Sequence, residues 1–185
     1  MLIEEENKFK IATWDCETTD LNAIYGYLLC ISVKQYKGPT KTIRIDDKRN
    51  PNKESDKWVV EEAVKELSKY DMLVGWNIIE FDRPFLNTRA AVNGVRSIGP
   101  HYKRDLIYTS RGSFRFPSNK LKNVHFNILK ITKKTFTTPK IKFAAIRGEK
   151  WALDFISRHC EIDVKETEDL YNTFKPYFGK KLIKK

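Results

Sequence analysis

Apolar and polar positions along this chain follow two periods, one of strands and one of helices. Lys8 to Thr18, KFKIATWDCET, places β-prone and apolar residues ahead of acidic ones, the pattern of a central strand that ends in polar chemistry. Tyr27 to Tyr36, YLLCISVKQY, predicts a second strand and Lys41 to Ile45, KTIRI, a third. Gly26 and Gly38-Pro39 supply the turns, and such short links favour an antiparallel meander. The period then lengthens. Val59, Val60, Ala63, Val64 and Leu67 recur at helical spacing within Asp56 to Tyr70, with Asp56 as a candidate N-cap. Met72 to Trp76 predicts a short buried strand, and Asp82 to Val92 a helix with Pro84 in its first turn. Arg104 to Tyr108 predicts a fifth strand and Lys120 to Lys130 a helix. Trp151 to Thr173 predicts a long closing helix striped by Ile156, Cys160, Val164 and Leu170. The expected architecture is α/β: a central mixed sheet, an antiparallel three-strand meander plus parallel strands, flanked by helices.

Length adds that one domain is expected, over residues 1–178, with a basic tail at 179–185; 185 residues suffice for one sizeable core. With 41% hydrophobic and 32% charged residues the chain is neither disordered nor membrane-embedded in composition. Its apolar runs stay well short of the roughly 18 residues of a membrane span, and MLIEEENKFK is no leader pattern. Cys16, Cys30 and Cys160 are odd in number and far apart, which argues for reduced thiols rather than a disulfide or zinc framework. An intracellular, cytoplasmic monomer is expected.

Charge changes the picture more. The net charge is +11, and residues 96–150 alone hold 14 basic residues against Asp105 and Glu149, so the rest of the chain is close to neutral. A polyanionic partner is expected to meet that segment.

The candidate chemistry lies in carboxylates. Asp15 and Glu17, two apart on a strand, project from one face. Asp82 opens a predicted helix, where the dipole favours a negative charge. Asp163 follows His159 by four residues and shares its helix face. Taken singly, these are a polar strand end, a helix cap and a surface pair.

Their joint order resembles the DEDD superfamily of 3′-to-5′ exonucleases, whose fold is ribonuclease H-like. The first motif matches Asp15 and Glu17 in WDCETTDL, the second Asn77, Phe81 and Asp82 in NIIEFDRPFL, and the third Asp163 in HCEIDV. IYGYLLCIS and LVGWNIIEFDRPFL look closest to the proofreading domains of family B DNA polymerases and their free-standing relatives. The resemblance implies a metal-dependent exonuclease with two Mg²⁺ or Mn²⁺ ions held by Asp15, Glu17, Asp82 and Asp163. Thr18, Asn77 and Phe81 would then lie beside the substrate. The superfamily has a Tyr four residues, or a His five residues, before the last Asp. Here His159 takes the Tyr register and Arg158 the His position, which leaves the subclass open. His159 is the candidate for handling the proton of the attacking water.

Arg111, Phe114, Arg115 and Phe116 interleave cations with aromatics, the pairing that holds phosphates and stacks unpaired bases. The alternative is a loop whose phenylalanines fill the core. Lys120, Lys122, Lys130, Lys133 and Lys134 would extend the phosphate track, and His101 and His125 are expected on the surface or the substrate side. Single-stranded DNA ends are the expected substrate, with RNA ends, or a non-catalytic binding module, as the alternatives.

Overall fold

The computed structural model describes residues 8–131, 135–178 and 183–184. Strand β1 (Ile11–Thr18) sits at the middle of the sheet and is buried along nearly its whole length. It pairs antiparallel with β2 (Leu28–Gln35), which pairs antiparallel with β3 (Thr40–Arg44), giving the expected meander. Helix α1 (Lys57–Leu67) then crosses to β4 (Met72–Gly75), which lies parallel to β1 in the register Ile11↔Met72 to Thr13↔Val74. Helix α2 (Asp82–Val92) leads to β5 (Tyr102–Asp105), parallel to β4. After it come α3 (Leu106–Ser113), α4 (Leu121–Leu129), α5 (Pro139–Ile146) and the long α6 (Lys150–Phe174). Ile183–Lys184 forms β6, antiparallel to β5, so the sheet order is β3-β2-β1-β4-β5-β6.

Burial explains this order. Trp14 on β1, the apolar run of β2, Val59, Val60 and Ala63 of α1, and Ile156 and Cys160 of α6 join one core cluster. Ile11, Met72, Val74 and Leu106 with Val124, Leu170, Tyr171 and Phe174 form a second. Helix α6 therefore serves both clusters with its two halves, which holds it across the sheet and fixes the height of its polar residues. Pairing of β1 with β4 ends at Thr13↔Val74, while β1 runs on to Thr18 beside β2. Asp15 and Glu17 thus stand at the carboxyl end of a parallel pair, where open α/β sheets keep a crevice. The β1–β2 register shifts between Glu17 and Thr18, an irregularity of the kind that re-aims side chains next to a site. Gly75 lets β4 leave the sheet here: a Cβ would lie 2.1 Å from Ile78 Cγ2 and 3.1 Å from the Trp14 carbonyl oxygen.

Several expectations need correction. The fifth strand is Tyr102–Asp105, not Arg104–Tyr108, because Asp105 caps a helix there: its side chain accepts from the Ile107 N–H. Asp56 makes no side-chain cap bond. It is fully buried and accepts from Arg89 Nε and Nη2, each at 2.8 Å, from Asn93 Nδ2 and from the Leu28 N–H. His101 and His125 are buried rather than surface residues. In the 179–185 segment, expected as a tail, Ile183 and Lys184 add a sheet edge; its other residues, with Lys133 and Lys134, lie outside the described residues. Among the described residues no helix is long and apolar enough to cross a membrane.

Candidate active site

Three elements deliver four carboxylates to the end of β1. Asp15 and Glu17 come from the strand itself. Asp82, 3% exposed, stands at the head of α2, where its Oδ1 accepts the Cys16 N–H at 3.0 Å. That bond ties the second motif to the first. Helix α6 brings the third, pinned along β1 by the Thr13 hydroxyl, which donates to the Val164 carbonyl at 3.0 Å, and by the Cys160 thiol, which donates to the Asp15 carbonyl at 3.2 Å. Asp163 precedes Val164, so these contacts set its position. His159, one turn earlier, turns Nε2 to 3.8 Å from both Glu17 Oε1 and Asp163 Oδ2. Its Nδ1 lies 2.6 Å from Thr135 Oγ1.

The carboxyls resist ionisation together. Burial pushes Asp15 well above the usual range, reinforced by Cys160, Asp82, Asp163 and Glu17. Glu17 rises to about 7, chiefly through burial, with His159 and Lys142 opposing and Asp163 adding. Asp82 rises to about 6 through burial, moderated by its Cys16 hydrogen bonds. Asp163 rises to about 7 through burial and the nearby Glu166, against the pull of Lys122. Loss of hydration is the largest cause at all four carboxyls. Among the described residues no three His, Cys, Asp or Glu side chains stand grouped as they would be to hold a metal ion.

A family profile matches residues 13–175. The chain belongs to the RNase_H superfamily. Among solved structures, the family B DNA polymerase from the hyperthermophilic archaeon Pyrobaculum calidifontis superposes with a TM-score of 0.70 at 19% identity. The match covers 91% of this chain and 25% of the polymerase, so the chain spans a quarter of that protein's length. A search of curated proteins finds no match.

Within this RNase_H superfamily domain the other expected site residues are dispersed. Thr18 is buried, its hydroxyl donating to the Asp20 carbonyl at 2.7 Å. Asn77 adopts φ 67°, a left-handed conformation that asparagine tolerates, and donates its N–H to Asp105 Oδ1 at 2.7 Å. Phe81, half-buried, packs against Phe85 just ahead of Asp82. Arg111 lines a shallow groove with Asn77 and Lys120, and Lys120 and Lys122 line a neighbouring cavity that reaches His159 and Asp163. Arg115 is exposed. Phe114 follows the alternative sequence reading, a loop phenylalanine packed on the core: its ring stacks on Phe174 at 4.9 Å and on Phe116 at 5.3 Å, and meets Tyr177 edge-on. It packs in the second core cluster rather than facing a strand.

Sequence reasoning missed Asp105, Thr135, Lys142 and Glu166. Asp105 had a legible signal, since an aspartate before a run that turns helical is an N-cap candidate. Thr135 had none, because only the tertiary fold brings it to His159.

Proposed function

We propose that this domain is a metal-dependent 3′-to-5′ exonuclease that hydrolyses phosphodiester bonds at nucleic-acid ends, with single-stranded DNA as the preferred substrate. The observation that carries the reading is the convergence of Asp15, Glu17, Asp82 and Asp163 from three elements, with burial and mutual repulsion raising their pKa values. An all-oxygen donor set suits Mg²⁺ or Mn²⁺, because Mg²⁺ takes one or two carboxylates and keeps the rest of its shell for water and substrate phosphate. The four carboxylates would hold a pair of such ions, which supply Lewis acidity to activate water and to stabilise the departing oxygen.

The chain's own residues do the rest. With Nδ1–H donating to the Thr135 hydroxyl, His159 presents the lone pair of Nε2 to the space between Glu17 and Asp163. A water there lies within reach, and Nε2 takes its proton as the water attacks. Thr135 holds the ring; its hydroxyl can also donate to Nδ1, and that reverse hydrogen bond would place the proton on Nε2 and prevent the transfer. Lys122 and Lys142, which draw down the pKa values of Asp163 and Glu17, keep part of the cluster's charge compensated. A binding module without chemistry gains nothing from crowded carboxylates that repel its polyanionic ligand.

The test is incubation of the purified protein with 5′-labelled single-stranded DNA and RNA in Mg²⁺, Mn²⁺ or a chelator. A ladder of progressively shorter products that requires the metal, and disappears in Asp15→Ala, is expected. Cleavage that survives Asp15→Ala, or intact strands under every condition, overturns the reading.

A further inference from the structure

A cavity of about 670 Å³ opens between α4, the segment 135–137 and α6, with His159 and Asp163 on its floor. Its size is that of a ligand pocket, about 300 to 1,000 Å³. Two aromatic rings on its walls are half exposed, Phe126 at 46% and Phe136 at 54%. Phe126 is not the anchor of its helix. Helix α4 is already fastened by Val124, which is fully buried, and by His125, whose Nε2 lies 3.2 Å from Asp169 Oδ2 on α6. One exposed phenylalanine is ordinary. Two that converge on one cavity, with cations among them and the carboxylate cluster below, form a pattern.

The cations complete it. Lys122 Nζ stands 4.2 Å over the Phe136 ring, and Lys120 lies a short step along the rim, where the Arg111 groove joins the cavity. The floor is acidic, with Asp163 and Glu166, while the rim is basic and aromatic. A ligand that satisfies both parts has flat apolar faces and a chain of negative charges. Phe114, a ring the sequence offered for stacking, packs half-buried against the core and Phe174.

We propose that Phe126 and Phe136 stack the bases of a single-stranded nucleic acid while Lys120 and Lys122 hold its phosphates, leading the strand across α4 onto Asp163. The inference rests on the exonuclease reading and names the surface that delivers the substrate. Stacking is tolerant of base identity, since every base has a π-face. The clamp therefore senses whether bases are present and unpaired, and it discriminates weakly among sequences.

The test measures binding by fluorescence anisotropy in the Asp15→Ala background with Mg²⁺ present, using a short labelled single strand and the same strand made abasic. Phe126→Ala and Phe136→Ala should each weaken binding of the base-bearing strand by about 5- to 150-fold, the worth of one base–aromatic stack. Affinity for the abasic strand, which keeps every phosphate, should be unchanged. Unchanged affinity for the base-bearing strand overturns the clamp, and so does an equal loss on both strands, which would report a disturbed fold. Absence of binding to either strand by the parent also overturns it. Cleavage by the wild type in Mn²⁺ is scored separately. If the wild type shortens strands but the variants bind like their parent, the clamp fails and the activity stands; if the base-specific loss appears without cleavage, the activity fails and the clamp stands.

Discussion

Glu17→Gln should stabilise the metal-free protein at pH 8 and leave its stability at pH 4 unchanged. Glu17 is only 16% exposed, and its carboxyl is raised from 4.5 to about 7 by burial more than by any neighbour. Below pH 4.5 the group is protonated in both folded and unfolded chains and has no effect on folding. Between there and about 7 the unfolded chain releases its proton while the folded chain keeps it, so stability falls as pH rises, and above about 7 the loss is complete. At about 1.4 kcal/mol per pH unit, the separation between 4.5 and about 7 corresponds to roughly 3 kcal/mol. Glutamine keeps the shape and never ionises.

For a chain of this size about 1 kcal/mol moves the melting temperature by roughly 2–4 °C, so thermal unfolding followed by circular dichroism in a chelator should show Glu17→Gln melting about 6 to 12 °C above wild type at pH 8. The two should coincide at pH 4. Millimolar Mg²⁺ at pH 8 should reverse the advantage in part, because an ion that binds only the folded state stabilises the wild type more. A variant that melts with or below wild type at pH 8 in chelator would refute the reasoning, because Glu17 would then be ionised at no cost to the fold.

Asp15→Ala should abolish cleavage in a gel assay with labelled strands while its far-ultraviolet dichroism stays that of the wild type. His159→Ala should lower turnover by ~10² to 10⁴, the usual value of a general base, at saturating Mn²⁺, and His159→Tyr should retain far more activity; equal rates for wild type and His159→Ala would assign His159 no part in proton transfer. Asp56→Ala should cost about 3 to 5 kcal/mol in urea denaturation, since it strands the buried Arg89 guanidinium, and a loss under about 1 kcal/mol would show that the pair is dispensable. Lys122→Glu should weaken strand binding and flatten its dependence on salt by about one phosphate's worth, measured as the slope of log affinity against log salt.

The parts of this molecule that were legible in its sequence are those whose signal is local. β1 through α2 follow from apolar period and turn residues, and the three carboxylate motifs stand at a strand end, a helix head and a helix face, positions that a short stretch of sequence specifies. Helix α5 carried a local signal that went unread: Thr138 at its N-cap, accepting from the Ile141 N–H, followed by Pro139. The fifth strand was misplaced for a similar reason, because Arg104 to Tyr108 has β-prone residues but Asp105 starts a helix inside it. Phe114 and Phe126 illustrate what no local signal resolves. Both are phenylalanines within basic segments, and only the position of Phe174 on α6 decides that the first is partly buried by stacking, while the second, beside an already buried His125, is left facing the cavity. Asp56 is similar: its N-cap position was right, yet its side chain belongs to Arg89, thirty-three residues away.

The excess of positive charge in residues 96–150 takes on a specific meaning in this fold. Lys122 acts on Asp163 and Lys142 on Glu17, so two lysines of the basic segment offset part of the charge of the acidic cluster. The two signs are layered: carboxylates below, lysines and aromatic rings above. A phosphate descending from the rim meets attraction first and repulsion at the floor, unless cations have compensated the carboxylates. If the domain is the proposed metal-dependent exonuclease, strand and divalent ions should therefore favour each other's binding, and because linkage is reciprocal, the factor by which ions tighten the strand is the factor by which the strand tightens the ions. On the proposed exonuclease reading, the site would hold a strand productively only when it is also charged with metal, and the same burial that raises the carboxyl pKa values would make that coupling strong.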